Sequence, residues 1–375
     1  MIEKNPFVYG QVVKDNNFYD RKTETKQIIQ TLKGGNNVVL FAPRRFGKTS
    51  LVFKVMEMLE KDGVTCIYFD LMQTYSIESF IQLYISAIEK KQKKSEVFFN
   101  KVLSLLSNLK PVVTVSKEGL PEFSFSNIEE KIDAETISNV LDLPQNIMEK
   151  NKSIVVVMDE FQEITKFENY GLERMLRSKV QTQEVKYLFL GSKTHILNNM
   201  FSDSKRPFYN SALQISISYL PTKDTIEFLQ TNFGAYGIRI EKEECLYIIE
   251  RTMNIPYYIQ LLSSQIWQEC IEKKEKVTKE IIDKLCKNII ALKGDYYFEL
   301  FDRQSLLQKK LLIAISKDGE NILSSLYIKK HGLSSISGTQ KACASLIEKG
   351  IIDRKNDAYY ITDPFFKIYL LSIYK

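Results

Sequence analysis

Residues 42–49 read Ala42-Pro43-Arg44-Arg45-Phe46-Gly47-Lys48-Thr49, between an apolar run, Val38 to Phe41, and a segment of helical period, Lys48 to Lys61. A short apolar run predicts a buried strand, and apolar residues at helical spacing predict a helix. A strand, a loop ending in Gly-Lys-Thr and a helix form the context of the phosphate-binding motif G-x-x-x-x-G-K-[ST]. Ala42 stands where the first glycine of the motif is usual. The stretch therefore predicts a P-loop nucleotide-binding fold.

The residue types in this loop suit a chain of phosphates. Backbone N–H groups of the loop and of the helix N-terminus supply partial positive charge. Gly47 allows a close backbone approach, Lys48 reaches β- and γ-phosphate oxygens, and Thr49 offers a hydroxyl oxygen to Mg²⁺. The predicted nucleotide contacts in the loop are Ala42, Pro43, Arg44, Arg45, Phe46, Gly47, Lys48, Thr49 and Ser50.

Two acidic residues follow another predicted strand, further along the chain. Residues 153–158 are mostly β-branched, which is typical of a central parallel strand, and Asp159 and Glu160 come directly after them. Ligands bind at the carboxyl ends of strands in open α/β sheets. We therefore predict Asp159 in the Mg²⁺ shell, through water, and Glu160 as the group that orients or deprotonates the attacking water. An exposed turn is the alternative for two such acids taken alone.

A polar residue follows a third predicted strand, which ends at Leu190 in the sequence Gly191-Ser192-Lys193-Thr194. We predict that Ser192 lies near the γ-phosphate and responds to its presence. A helix N-cap formed by Ser192 or Thr194 is the alternative, and it does not exclude that role.

The order of the segments predicts three domains. Strand-like and helix-like segments alternate over residues 1–220, which implies a parallel sheet with right-handed crossovers. A predicted hairpin at about 95–130 is inserted there, as a surface decoration or a binding loop. Residues 221–300 indicate an all-α lid, and residues 301–375 indicate three helices and a hairpin, the winged-helix pattern. The predicted class is α/β: a P-loop NTPase parallel sheet, an all-α lid and a C-terminal winged-helix domain.

The composition excludes several classes of protein. The 375 residues are 44% hydrophobic and 26% charged, which excludes collagen-like, low-complexity and wholly disordered chains. No apolar stretch approaches the ~18 residues of a membrane helix, and the N-terminus lacks the apolar core of a signal peptide. Five scattered cysteines and two histidines argue against a zinc site. We expect a cytoplasmic protein without membrane contact.

The excess positive charge lies at the C-terminal end. The chain has 52 Lys and Arg against 46 Asp and Glu, a net charge of +6, and residues 303–375 hold 12 basic and 6 acidic residues. This bias is a lead to a partner such as nucleic acid, and solvated lysines are the alternative explanation. A DNA or protein partner bound through residues 303–375 is therefore one expectation.

With these motifs, the sequence resembles AAA+-type P-loop ATPases, most of all the archaeal and bacterial ATPase-domain group related to the signal-transduction ATPases with numerous domains. The resemblance covers nearly the whole chain and rests first on the phosphate loop and on Met158-Asp159-Glu160-Phe161-Gln162-Glu163. Weaker matches are Phe18-Tyr19-Asp20-Arg21 with Glu24, Leu190-Gly191-Ser192, Arg206-Pro207-Phe208-Tyr209, Ile255-Pro256-Tyr257-Tyr258 and Asp363-Pro364-Phe365-Phe366.

The resemblance implies nucleotide contacts outside the loop. Asp20 and Arg21 lie where the family's N-terminal segment packs near the adenine. Pro256 matches the proline of the helical lid, which contacts nucleotide in related proteins. The family usually has glycine shortly before that proline, and Met253-Asn254 occupies the place here.

The resemblance also implies catalytic roles. Ser192 matches the family's first sensor. Arg206 is the candidate for an arginine that stabilises the γ-phosphate, in cis or from a neighbouring subunit of a homo-oligomer, with a structural or solvated arginine as the alternative. Arg44 and Arg45 either contact phosphate or face solvent.

These observations predict an Mg-ATP-binding ATPase that acts as a nucleotide-dependent molecular switch. A nucleotide-regulated DNA-binding protein is the alternative, with contacts from Thr339, Gln340 and Lys341 and from the turn Arg354-Lys355. A protein-interaction scaffold with weak or no turnover is a third hypothesis.

Overall fold

The computed structural model describes residues 4–11, 21–91, 102, 111–115, 121–125, 132–148, 152–192, 194–355 and 357–374. The chain divides into two compact units. One consists of residues 21–218, and the other combines residues 1–20 with residues 219–375. The three predicted domains, 1–220, 221–300 and 301–375, stay a prediction.

The first unit is built on a parallel sheet. The described strands of the whole chain are β1 (Val38–Phe41), β2 (Thr65–Asp70), β3 (Pro111–Val115), β4 (Pro121–Phe125), β5 (Ile154–Asp159), β6 (Lys186–Gly191), β7 (Leu213–Ser216), β8 (Ile352–Lys355) and β9 (Ala358–Ile361). Five of them pair in parallel in the order β2-β5-β6-β1-β7. Strands β3 and β4 form the predicted inserted hairpin. The predicted parallel α/β sheet is confirmed.

Helices flank the sheet and make up most of the second unit. The described α-helices are α1 (Lys22–Lys33), α2 (Lys48–Lys61), α3 (Ile77–Glu89), α4 (Ala134–Leu141), α5 (Leu143–Asn146), α6 (Leu172–Thr182), α7 (Thr194–Ser202), α8 (Thr222–Gly234), α9 (Lys242–Thr252), α10 (Pro256–Lys273), α11 (Lys279–Leu292), α12 (Gly294–Asp302), α13 (Leu306–Lys317), α14 (Ser325–Lys330), α15 (Ile336–Glu348) and α16 (Pro364–Ile373). Segments Leu71–Gln73 and Phe161–Tyr170 are 3₁₀-helical. No helix in the described part of the chain is both long and apolar enough to cross a membrane.

An aromatic cluster supports the carboxyl ends of β5 and β6. Phe161, directly after the acidic pair, is fully buried, and its ring centroid lies 4.4 Å from that of Phe189 and 5.1 Å from that of Phe208. All six residues of β5 are buried, as expected for a strand covered on both faces. The backbone that carries Asp159 and Glu160 is therefore held by dense packing on both sides of the acidic pair.

The second unit begins with the N-terminal segment, which packs on helices of residues 219–375. The ring of Phe7 lies 4.7 Å from that of Phe233, and Asn5 Nδ2 donates a hydrogen bond to the Ser264 carbonyl at 3.1 Å. The backbone N–H of Val8 donates to Gln260 Oε1 at 3.0 Å. Residues 4–11 thus contribute to the core of the helical unit.

The C-terminal part of this unit has the predicted three helices and wing. Helices α13, α14 and α15 precede the antiparallel pair β8–β9, and α16 follows it. Gly319 packs against the wing, because its carbonyl accepts the Tyr359 backbone N–H at 2.9 Å and a Cβ added to it would lie 1.7 Å from the Tyr359 carbonyl oxygen. Only glycine fits at that approach.

Gly319→Ala is expected to destabilise the protein by about 2 kcal/mol, because the added methyl group clashes with the backbone of a paired strand. The measurement is urea unfolding. Gly234→Ala is the control: a Cβ there meets no atom within 4 Å, and alanine suits the end of helix α8, so no loss is expected. Equal unfolding midpoints for the two variants would contradict the packing at Gly319.

Candidate nucleotide and magnesium site

The loop between β1 and α2 turns through two left-handed residues. Arg45 has φ 72°, and Gly47, directly before helix α2, has φ 81° and ψ 16°. A Cβ on Gly47 would meet no atom within 4 Å, so glycine is favoured there by the backbone conformation and not by lack of space. The loop therefore leaves room at the N-terminus of α2, where backbone N–H groups attract anions.

Lys48, at the first position of α2, reaches both predicted acidic residues. Its Nζ lies 2.9 Å from Asp159 Oδ1 and 3.1 Å from Glu160 Oε1, and all three side chains are largely buried. Thr49 Oγ1 donates a hydrogen bond to Asp159 Oδ2 at 3.4 Å. The structure thus brings the predicted loop residues and the predicted carboxylates together at one edge of the sheet.

Tyr68 is a site residue that the sequence analysis missed. It lies on β2, which pairs with β5 so that Asp70 is opposite Asp159, and its hydroxyl donates to Asp159 Oδ2 at 3.1 Å. Burial, together with the neighbouring Asp159, raises the pKa of this phenol, so it remains a donor. Burial also raises the pKa of the Asp70 carboxyl. The only signal in the sequence was the position of Tyr68 near the end of a strand.

Glu160 begins a sharp change of chain direction. It has φ 51° and ψ 45°, a left-handed conformation that non-glycine residues rarely adopt. Its Oε2 accepts hydrogen bonds from Ser192 Oγ at 2.8 Å and from Gln162 Nε2 at 2.5 Å. Burial alone would raise the pKa of the Glu160 carboxyl, but the Lys48 charge and these hydrogen bonds outweigh burial and lower it.

The remaining loop residues differ in exposure. Ala42, Phe46 and Ser50 are buried, Pro43 is half-buried, and Arg44 and Arg45 are exposed. Arg44 Nε lies 3.5 Å from Ser192 Oγ, so Arg44 extends toward the edge of the site. Phosphate contacts by these residues stay predictions.

Arg206 is engaged with a carboxylate. Its Nη2 lies 2.6 Å from Glu173 Oε2 on α6, and both side chains are partly buried. This pair fits the structural alternative for Arg206. The γ-phosphate role of Arg206 stays a prediction.

Arg21 and Pro256 were predicted to contact nucleotide from outside the loop. Arg21 is buried, and it donates to the Ser218 carbonyl at 2.6 Å and to Glu24 Oε1 at 3.0 Å. Asp20 lies outside the described residues. Pro256 is the first residue of α10, and the preceding Met253 and Asn254 have φ 55° and 54°. These two residues adopt the left-handed conformation that glycine favours, in the place where the family has glycine.

The donor set suits Mg²⁺. Thr49 supplies a hydroxyl oxygen, and Asp159 supplies a carboxylate beside it. Mg²⁺ prefers hard oxygen ligands and is usually held in such sites by one or two carboxylates together with waters and substrate phosphates. Thr49 and Asp159 are therefore the residues that fit the ion.

One of the residues predicted to contact DNA is buried in the winged-helix domain. Thr339 is fully buried and donates to the Ser335 carbonyl, so its predicted role as a contact is wrong. Gln340 and Lys341 are exposed on α15. Arg354 is paired with Asp357 at 2.9 Å.

Comparison with known proteins identifies the family. Residues 18–262 match the family described as "ATPase domain predominantly from Archaea". The chain belongs to this ATPase-domain family. Residues 295–372 of the ATPase match a second family, described as "Probable winged helix domain". The predicted AAA+-type P-loop ATPase resemblance, the ATP hydrolase class and the winged-helix end are thereby confirmed.

Solved structures share the fold of this ATPase over nearly its whole length. The Walker-type ATPase Paby2304 of Pyrococcus abyssi is 16% identical, with 94% of this chain and 96% of that chain covered and a TM-score of 0.63. The ORC2 protein of Aeropyrum pernix, solved as ADPNP-ADP complexes, is 12% identical, with coverage of 99% and 97% and a TM-score of 0.58. No curated protein matches the sequence.

Proposed function

We propose that this ATPase binds Mg-ATP in the loop of residues 42–50, hydrolyses it and acts as a nucleotide-dependent molecular switch. The observation that carries the proposal is the meeting of Lys48, Thr49, Asp159 and Glu160 at the carboxyl ends of the strands. The family match supports nucleotide binding. The adenine nucleotides named for ORC2 support the choice of ATP.

The first step is an exchange of partners by Lys48. Without nucleotide, its ammonium group neutralises the Asp159 and Glu160 carboxylates. A triphosphate in the loop carries a higher density of negative charge than these two groups, and it competes for Nζ. Lys48 then stabilises charge on the β- and γ-phosphates, as a P-loop lysine does.

The second step is the use of the released carboxylate. When Lys48 moves away from Glu160 Oε1, the carboxyl stays buried and loses the nearby positive charge. Its pKa therefore rises from the lowered value, toward a value at which the carboxylate is an effective general base. Glu160 then orients and deprotonates the attacking water. Thr49 and Asp159 would hold Mg²⁺, which would neutralise charge on the phosphate oxygens.

The switch follows from the contacts of Ser192. Its hydroxyl and its backbone N–H both donate to Glu160, so the loss of the Lys48 charge beside Glu160 changes the electrostatic environment of Ser192, two residues before α7. Nucleotide state is thereby coupled to an element of the fold through the contacts between Glu160 and Ser192. The homo-oligomer, the γ-phosphate role of Arg206, the cytoplasmic location and the DNA-binding alternative stay predictions.

Calorimetric titration tests the proposal directly. ATP is expected to bind the full chain at one site, more tightly with Mg²⁺ than with EDTA, because the ion screens repulsion between the phosphates and Asp159. Phosphate release measured on the same sample is expected to depend on Mg²⁺. The absence of binding heat with ATP, with and without Mg²⁺, would contradict the proposal.

A further inference from the structure

Gln162 is buried directly beside the proposed base. It lies two residues after Glu160, at the start of the 3₁₀-helical segment 161–170, and only 2% of it is exposed. Its Nε2 donates to Glu160 Oε2 at 2.5 Å, which is a short, charge-assisted hydrogen bond. Burial of a polar side chain is unfavourable unless it is hydrogen-bonded, so this contact accounts for an amide at the position.

The surroundings fix the direction of this amide. Exchanging its nitrogen and oxygen would place Oε1 2.5 Å from a carboxylate oxygen, where like partial charges repel. On the other side, Oε1 lies against the Cα of Gly191, since a Cβ there would be 2.1 Å from it. Within the described residues Oε1 has no hydrogen-bond partner. The side chain therefore serves as a donor to Glu160 alone.

The two oxygens of Glu160 are consequently not equivalent. Oε2 is held by Gln162 and Ser192, which are uncharged groups with no need to leave when phosphate arrives. Oε1 is held by Lys48 alone among these groups, and Lys48 is the group that phosphate draws away. Oε1 is therefore the oxygen of Glu160 that becomes free when Lys48 binds phosphate.

We propose that Gln162 is a positioning residue, which anchors Oε2 of Glu160 so that Oε1 is presented to the attacking water once Lys48 binds phosphate. This inference rests on the proposed ATP hydrolysis.

The test is the split between kcat and KM in Gln162→Met, which keeps the length of the side chain and removes the donor. We expect kcat for ATP about 10-fold lower, with KM unchanged, because the base is misplaced and the nucleotide contacts are intact. A merely structural role would not separate the two constants.

Gln183→Met is the matched control. Gln183 is also buried, and its Nε2 donates to the Leu141 carbonyl and to Asp142 Oδ1, each at 3.0 Å, with no contact to Glu160. We expect this variant to lower the thermal unfolding temperature and to leave kcat and KM for ATP unchanged. Should Gln162→Met not fold, Gln162→Asn keeps a buried amide on a side chain one methylene group shorter, which draws the donor away from Glu160 Oε2, and the same fall in kcat is expected.

A second measurement separates this inference from the proposed function. In a crystal structure of nucleotide-free Gln162→Met, the Glu160 carboxylate is expected to leave the position that Gln162 and Ser192 give it in the wild type. An active wild type together with an unchanged kcat in Gln162→Met overturns the role of Gln162 alone. An inactive wild type contradicts the proposed hydrolysis, and the structure of Gln162→Met then decides the contact: an unmoved carboxylate overturns it.

Discussion

Glu160→Gln is expected to bind Mg-ATP as the wild type does and to hydrolyse it at least about 100-fold more slowly. General-base catalysis contributes about 10²- to 10⁴-fold, and an amide cannot accept the proton of water. Binding is expected to persist because Lys48 and Thr49 are unchanged. The substitution also removes one of the two carboxylates that compete with phosphate for Lys48, so affinity is not expected to fall.

The measurement pairs calorimetric ATP binding with single-turnover phosphate release. Glu163→Gln is the matched control, because Glu163 is also a largely buried acid, three residues further on, which pairs with Lys166 at 2.6 Å. Its turnover is expected to stay within about twofold of wild type, since it takes no part in the site. Near-normal turnover in Glu160→Gln would remove Glu160 from the role of base.

Lys48→Met is expected to abolish ATP binding and to lower the free energy of unfolding by about 3 kcal/mol at neutral pH. The loss of binding follows from the loss of the charge that reaches the phosphates. The loss of stability follows because Asp159 and Glu160 keep their burial and lose their cation, and breaking a buried ion pair is strongly destabilising.

The stability loss depends on pH with a definite sign. In the wild type the folded-state pKa of Glu160 is lowered, so its stabilising contribution is present above the unfolded pKa and is lost as pH falls through the folded pKa. In Lys48→Met burial is no longer opposed by Lys48, and the pKa rises. The variant is therefore expected to differ most from wild type near pH 7 and least near pH 4.

Urea unfolding at several pH values checks this prediction. Lys61→Met is the control on the same helix, because Lys61 is exposed and pairs with Glu57 at 2.6 Å on the surface. Exposed pairs contribute roughly 0–1 kcal/mol, so little change is expected at any pH. A Lys48→Met variant as stable as Lys61→Met at neutral pH would show that Lys48 does not stabilise the carboxylates.

The structure brings the predicted loop residues and the acidic pair together, and both could be predicted because their signals are local in the chain. The loop of residues 42–49 predicts its own conformation through Gly47 and the start of α2. The acidic pair was placed by a general property of parallel sheets, since β1 and β5 both end at the same edge. The departure at Met253-Asn254 has a structural explanation, because both residues adopt the backbone conformation that glycine favours.

Other parts of the site depend on residues that are distant in sequence or lack a motif. Tyr68 bonds Asp159 across 91 positions of the chain, and the Arg206 side chain pairs with Glu173, 33 positions away. Thr339 was predicted to contact DNA and is buried, because helical spacing alone does not show which face of α15 packs inward.

The amino-acid sequence alone determined the class of the fold, the phosphate loop and the identity of the acidic pair, because each depends on neighbouring residues and on regular periodicity. The tertiary structure alone decided which atoms surround Glu160 and which cation pairs with which carboxylate. Those choices depend on strand order, on register and on burial, and hydrogen bonds between distant residues leave no local pattern in the chain.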